Sequence, residues 1–179
     1  MSKAPDIREE AITLADPHDP IQIRSLIHSL DEIRADLFQL LRSTPIEKLT
    51  IRPKSKPWSA LEHLRHLVFA EDLYINRWIL RNDTPFSALG HLPAFLRGRP
   101  GFAVVGTNPS SDLENILREW TRIHELTISF LTEATSAGLK RNTSDIDFGQ
   151  GSVGNVLQGM AKHDLHHTLK IEEAIPSVA

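Results

Sequence analysis

Apolar residues recur at steps of three and four along four stretches of this chain, the period of one face of an α-helix. The first stretch runs from about Pro20 to Arg42, with Ile23, Leu26, Ile27, Leu30, Ile33, Leu37, Leu40 and Leu41 as its inner stripe. Asp19 can cap it, Pro20 suits the first helical position, and Thr44-Pro45 ends it. A second helix opens on a capping box, Ser59 with Glu62, and runs through about Arg81. Its apolar residues (Leu61, Leu64, Leu67, Val68, Phe69, Leu73, Ile75, Trp78 and Ile79) spread around more than one face, which predicts deep packing. The third begins near a box of Ser111 with Glu114, carries Ile116, Leu117, Trp120, Ile123, Thr127, Phe130 and Leu131, and is stopped by Gly138. The fourth starts around Ser152 after a Gly149-Gln150-Gly151 turn and ends at Pro176. Phe102 to Val105 is the one β-like run, and a single strand cannot make a sheet. The pattern predicts an all-α protein: an antiparallel four-helix bundle with a long connection between helices two and three.

That connection, Asn82 to Ser110, contains four prolines and four glycines. Loops of this length inside a compact domain are usually lids or partner surfaces, so it is expected to cover one side of the bundle near any site. A length of 179 residues suits one domain, 1–179, with residues 1–16 as a loosely held arm. The net charge of -3, without a run of one sign, gives no surface for nucleic acid. No apolar stretch is long enough to span a membrane and no apolar leader opens the chain, so a cytoplasmic protein is expected. The absence of cysteine excludes disulfides, thiolate zinc sites and a cysteine nucleophile. Any metal would be held by His, Asp or Glu.

Nine histidines are available, and their placement matters more than their number. The fourth stripe reads Val153, Val156, Leu157, Met160, His163, His167, Ile171, Ala174, so two imidazoles one turn apart occupy positions that call for core side chains. His166 falls instead with Lys162, Lys170 and Glu173 on a solvated face. Burying an imidazole costs free energy unless both ring nitrogens find partners, so the inward pair needs a polar network or a metal ion. Two more histidines, His63 and His66, lie in the apolar second helix, and spacing alone does not choose which of them faces the interior. Glu62, Glu71 and Asp164 lie close enough in sequence to orient imidazoles or act as a base. Charged residues beside a helix stripe more often face solvent, and none of the three is assigned a role.

The pattern Trp-Ser-x-x-Glu-x-x-x-His-Leu at Trp58 to Leu67, the long middle loop, and His-Asp-x-His-His at His163 to His167 resemble the DinB-like superfamily. The resemblance covers about residues 20 to 175. It implies a four-helix bundle in which one histidine of the second helix and two of the fourth bind a divalent metal. By motif position these are His66, His163 and His167, with His63 left as a neighbour or at the helix entrance. Three neutral imidazoles leave coordination positions open, an arrangement that lowers the pKa of bound water toward about 7 or polarises a substrate oxygen or sulfur. Zinc, nickel, iron and manganese all accept such ligands. Relatives of this class include transferases and isomerases that use low-molecular-weight thiols such as bacillithiol or mycothiol. The resemblance therefore implies a metal-dependent enzyme acting on a small molecule, as a thiol-dependent transferase or isomerase or as a metal-assisted hydrolase. It singles out no catalytic side chain. Arg97 and Arg99 are candidates to hold an anionic substrate, although loop arginines are ordinarily solvated. The alternative is a non-catalytic metal-binding or dimerising, stress-related interaction domain. Trp78, Phe86, Phe95 and Phe102 would offer such a domain, or a homodimer, its apolar contact surface.

Overall fold

The computed structural model describes residues 5–54, 56–110, 112–143 and 151–175, with the side chains of 5–9 left aside. The chain is helical, and the described residues contain no strand; an isolated antiparallel bridge joins Asn142 and Ser152. Phe102 to Val105, the β-like run, forms turns. The α-helices are α1 (Pro5–Leu14), α2 (Pro20–Ser43), α3 (Ile46–Leu49), α4 (Ala60–Asp72), α5 (Leu113–Glu133), α6 (Ser136–Lys140) and α7 (Val153–Ala174). None of the described helices is long and apolar enough to cross a membrane.

The helix ends follow from local chemistry. Asp19 caps α2 by accepting from the backbone N–H groups of Ile21 and Gln22, while Pro20, which has no N–H to satisfy, occupies the first helical position. Ser59 and Glu62 form the reciprocal box that opens α4, and Ser152 does the same for α7 with Asn155. For α5 the cap is Asp112, which accepts from Asn115 N–H. The expected cap Ser111 and the Gly149-Gln150 part of the expected turn lie outside the described residues.

Every residue of α4 except Glu62 is buried, because the helix packs against both α5 and α7. α2 also packs on α5 and α7, and the four helices share one apolar core around Leu37, Leu64, Leu67, Trp120, Ile123 and Leu157. Each fully buried large aliphatic side chain contributes on the order of 1.5–3 kcal/mol. Beyond Asp72 the expected second helix changes its winding: Leu73–Ile79 is π-helical, which widens the turn beside the site described below.

The segment expected to be a loose arm is a helix over Pro5–Leu14 that packs on α7, with Ile12 buried. Gln158 Nε2 donates to the carbonyls of Ile12 (2.7 Å) and Ala15 (3.0 Å), which ties this end of the chain to α7. Gly154 allows the approach, since a Cβ there would overlap the carbonyl of Pro17. Of the aromatics proposed as a contact surface, Phe95 is exposed, while Phe86 is buried and stacks on Phe102 in a small cluster with Phe69, Leu96 and Val105.

Candidate metal centre

Ser59 fixes the start of α4, so Trp58, just before the cap, is held against the first two turns. Its indole lies 5.1 Å from the His63 ring, 4.8 Å from His66, and stacks 5.9 Å from His167 on α7. The Trp-Ser-x-x-Glu portion of the motif is thereby explained in physical terms: Ser59 and Glu62 set where the helix begins, and Trp58 forms a wall against the imidazoles. Glu62 is anchored outward by Arg52, whose Nε lies 2.8 Å from Oε2. Burial alone would raise the Glu62 pKa, but the Arg52 hydrogen bonds and the Ser59 N–H outweigh it and hold the carboxyl at about 2.

The structure brings His66, His163 and His167 together, with one nitrogen from each lying within 4.8 Å of the others. His66 Nε2 is 3.1 Å from His163 Nε2, and the His163 and His167 rings are 4.4 Å apart. His63 stands behind this group, its Nδ1 2.9 Å from His167 Nδ1. His166 is exposed on the other face of α7. Spacing alone left His63 and His66 open, and in the fold both face inward, one at the cluster and one supporting it.

The connection from Asn82 to Ser110 reaches this group through His91. His91 accepts at its backbone carbonyl from His66 Nδ1 (3.0 Å), and its ring stands edge-on to Trp58 at 5.0 Å. Buried Arg65 ties the connection to α4, donating from Nε to Leu89 O (2.7 Å) and from Nη2 to Asn108 O (2.8 Å). Arg97 and Arg99 lie exposed farther along it. From the π-helical segment, Tyr74 stands edge-on to His163 at 5.8 Å, and burial pushes its phenol up to about 12.

The donor chemistry fits a cation. A carbonyl accepts from His66 Nδ1, so that nitrogen carries the proton and Nε2 keeps its lone pair for the cluster. Burial, reinforced by the neighbouring imidazoles, lowers His66 to about 3 and His63 to about 4, and depresses His167 further. All three are neutral near pH 7, the form that binds metal. Two nitrogens on one tetrahedral ion at about 2.0–2.1 Å would be about 3.3 Å apart, close to the His66–His163 separation. His163 Nδ1 and Asp164 Oδ1 are both buried without a hydrogen-bond partner and face each other at 3.8 Å. Burial pushes the Asp164 carboxyl upward, a cost that a cation on the far side of His163 would relieve.

Asp164 and Glu71, expected among solvent-facing carboxylates, are both buried. Glu71 lies at the centre of the core and accepts from Arg34 Nη2 (2.7 Å), Trp120 Nε1 (2.7 Å), His124 Nδ1 (2.6 Å) and Thr127 Oγ1 (3.0 Å). His124 Nε2 reaches Asp31 at 2.7 Å, and these two carboxylates outweigh burial to raise its pKa to about 9. His91 and Tyr74 were not singled out by the sequence. A lone loop histidine and a tyrosine in an apolar helical run carry no spacing signal.

The DinB superfamily model matches residues 29–171, so the chain belongs to the DinB superfamily. No curated protein and no solved structure matches it.

Proposed function

We propose that this protein is a divalent-metal-dependent enzyme acting on a small molecule, built as an antiparallel four-helix bundle of α2, α4 with its π-helical extension, α5 and α7. The connection from Asn82 to Ser110 would cover the site. The observation that carries this reading is the convergence of His66, His163 and His167 from two helices, backed by His91, His63 and Asp164. When bound, a divalent cation held by three neutral imidazoles keeps its charge available to polarise a substrate oxygen or sulfur and to acidify a bound water or thiol. The protein's part is positioning. The His91 carbonyl fixes the tautomer of His66, His63 fixes the His167 ring, and Trp58 walls off one side from water. Thiol-dependent group transfer or isomerisation, and metal-assisted hydrolysis, are the reactions this arrangement suits best.

The test is elemental analysis of protein purified without a histidine tag, then titration with zinc, nickel, iron(II) and manganese. About one equivalent per chain is expected for the preferred metal, lost in His66→Ala, His163→Ala and His167→Ala while helical circular dichroism is retained. Activity in a thiol-transferase and hydrolase screen should disappear on chelation and return on reloading. Full metal stoichiometry in all three variants would remove the site from consideration. Stoichiometric metal without turnover would favour a binding role.

A further inference from the structure

Behind the histidine cluster the core holds a second arrangement that metal ligation alone does not explain. Arg34 reaches inward from α2 with a side chain only 12% exposed, and stacks its guanidinium 4.0 Å over the Trp120 ring. Nη2 is used by Glu71, but Nη1 is buried with no hydrogen-bond partner. Asp164 Oδ1 is the other unpartnered atom of the pair, and both residues line one small enclosed cavity with Ile33, Trp120, His124 and Met160. The space open to the centre of a water molecule there is about 10 Å³, roughly what one water requires. A buried guanidinium N–H and a buried carboxylate oxygen are each costly unpaired, and a single water can accept from the first and donate to the second.

We propose that Arg34 is a positioning residue for the metal centre: through one buried water it holds the Asp164 carboxylate against His163 Nδ1. This rests on the metal reading above and extends it to a residue of α2, a helix that supplies none of the three histidines. The geometry gives each group one task. Glu71 anchors one arm of the guanidinium, the other arm orients the water, the water orients Asp164, and Asp164 stands 3.8 Å from His163 Nδ1, placed to accept from it when Nε2 binds the metal. The chain Glu71–Arg34–water–Asp164–His163 thus passes from α4 through α2 to α7.

Zinc affinity, measured by competition with a chromophoric chelator, tests the proposal. Arg34→Lys and Asp164→Asn are each expected to weaken zinc binding about ten- to a hundredfold. Because Arg34 acts through Asp164, the double variant should bind within about twofold of Asp164→Asn alone. Thr127→Val removes a different donor from the same Glu71 without touching the cavity; it should lower thermal stability yet leave the zinc Kd within about twofold. An unchanged Kd in Arg34→Lys, or losses that multiply in the double variant, would overturn the proposal. If Arg34→Lys does not fold, a crystal structure of the zinc-loaded wild type decides. A water within about 3.2 Å of both Arg34 Nη1 and Asp164 Oδ1 is expected, and a dry cavity, or Asp164 turned away from His163, refutes it. Wild-type protein that binds no metal would instead defeat the functional reading, a separable outcome.

Discussion

Replacing Glu71 with Gln preserves size and shape but removes the negative charge from the middle of the core, and the structure allows the cost to be bounded. Glu71 is fully buried and accepts four hydrogen bonds, two of them from groups that carry positive charge, Arg34 and His124. A glutamine amide offers one acceptor oxygen and turns an N–H₂ group toward the remaining donors, leaving at least one cation buried without its counter-charge. Removing one partner of a buried ion pair costs about 3–5 kcal/mol. Hydrogen bonds to charged groups contribute about 1.5–3 kcal/mol each, so the two estimates overlap, and they should not be added because they describe the same contacts. A loss of about 4 kcal/mol is therefore expected, a large share of the roughly 5–15 kcal/mol of a typical domain. For a chain of this length it corresponds to a Tm lower by about 8–16 °C. Urea and thermal unfolding followed by circular dichroism at pH 6 would measure it. Glu114→Gln is the matched comparison: it breaks a two-bonded pair with Arg42, but both side chains are more than half exposed and screened by water, and no comparable loss is expected. If Glu71→Gln loses less than about 1 kcal/mol, the four contacts do not act as a charged network and the reasoning fails.

Two further outcomes follow from the same geometry. In chelator-treated protein His124, facing Asp31, Glu71 and Arg34, is raised from 6.5 to about 9, so its contribution to stability is complete below pH 6.5 and lost as pH rises to 9. A urea midpoint that falls across that window in wild type and stays flatter in His124→Gln would bear this out, whereas parallel curves would exclude it. Gly154→Ala would press a methyl group into the Pro17 carbonyl and is expected to cost about 2–3 kcal/mol and expose the 5–19 segment to protease, while an unaltered digestion pattern would show that the contact is not needed.

The helices α2 and α4 were legible because each has a stripe and a cap that agree. Pro20 with Asp19, and Ser59 with Glu62, mark where α2 and α4 begin, and the apolar stripe of α2 runs unbroken to its end at Ser43. Two departures have physical causes that period alone does not encode. Leu73–Ile79 keeps apolar residues on its inner side whether it winds as α or π, so the change of winding leaves no mark in the sequence. The amino-terminal helix has only Ile12 deeply buried among its described side chains and depends on Gln158 and Gly154, far along the chain, so no local window could show that it docks.

The site was legible in proportion to how far each residue contradicts its surroundings. His163 and His167 interrupt an apolar stripe at positions where an imidazole is expensive, and that local contradiction is visible without a fold. Glu71 and Asp164 are as contradictory in space, but their partners come from other helices: Arg34 from α2, Trp120 and His124 from α5. Sequence offered their closeness to the histidines and, against it, the general tendency of carboxylates to face water, which neither of them follows. What makes their burial tolerable is the charge and hydrogen bonding assembled around them. Glu71 has a complete set of donors and sits as a satisfied anion. Asp164 keeps Oδ1 without a protein partner, 3.8 Å from His163 Nδ1, which also lacks one. Beside the fully matched Glu71, that shared deficit is the feature that the proposed metal would relieve.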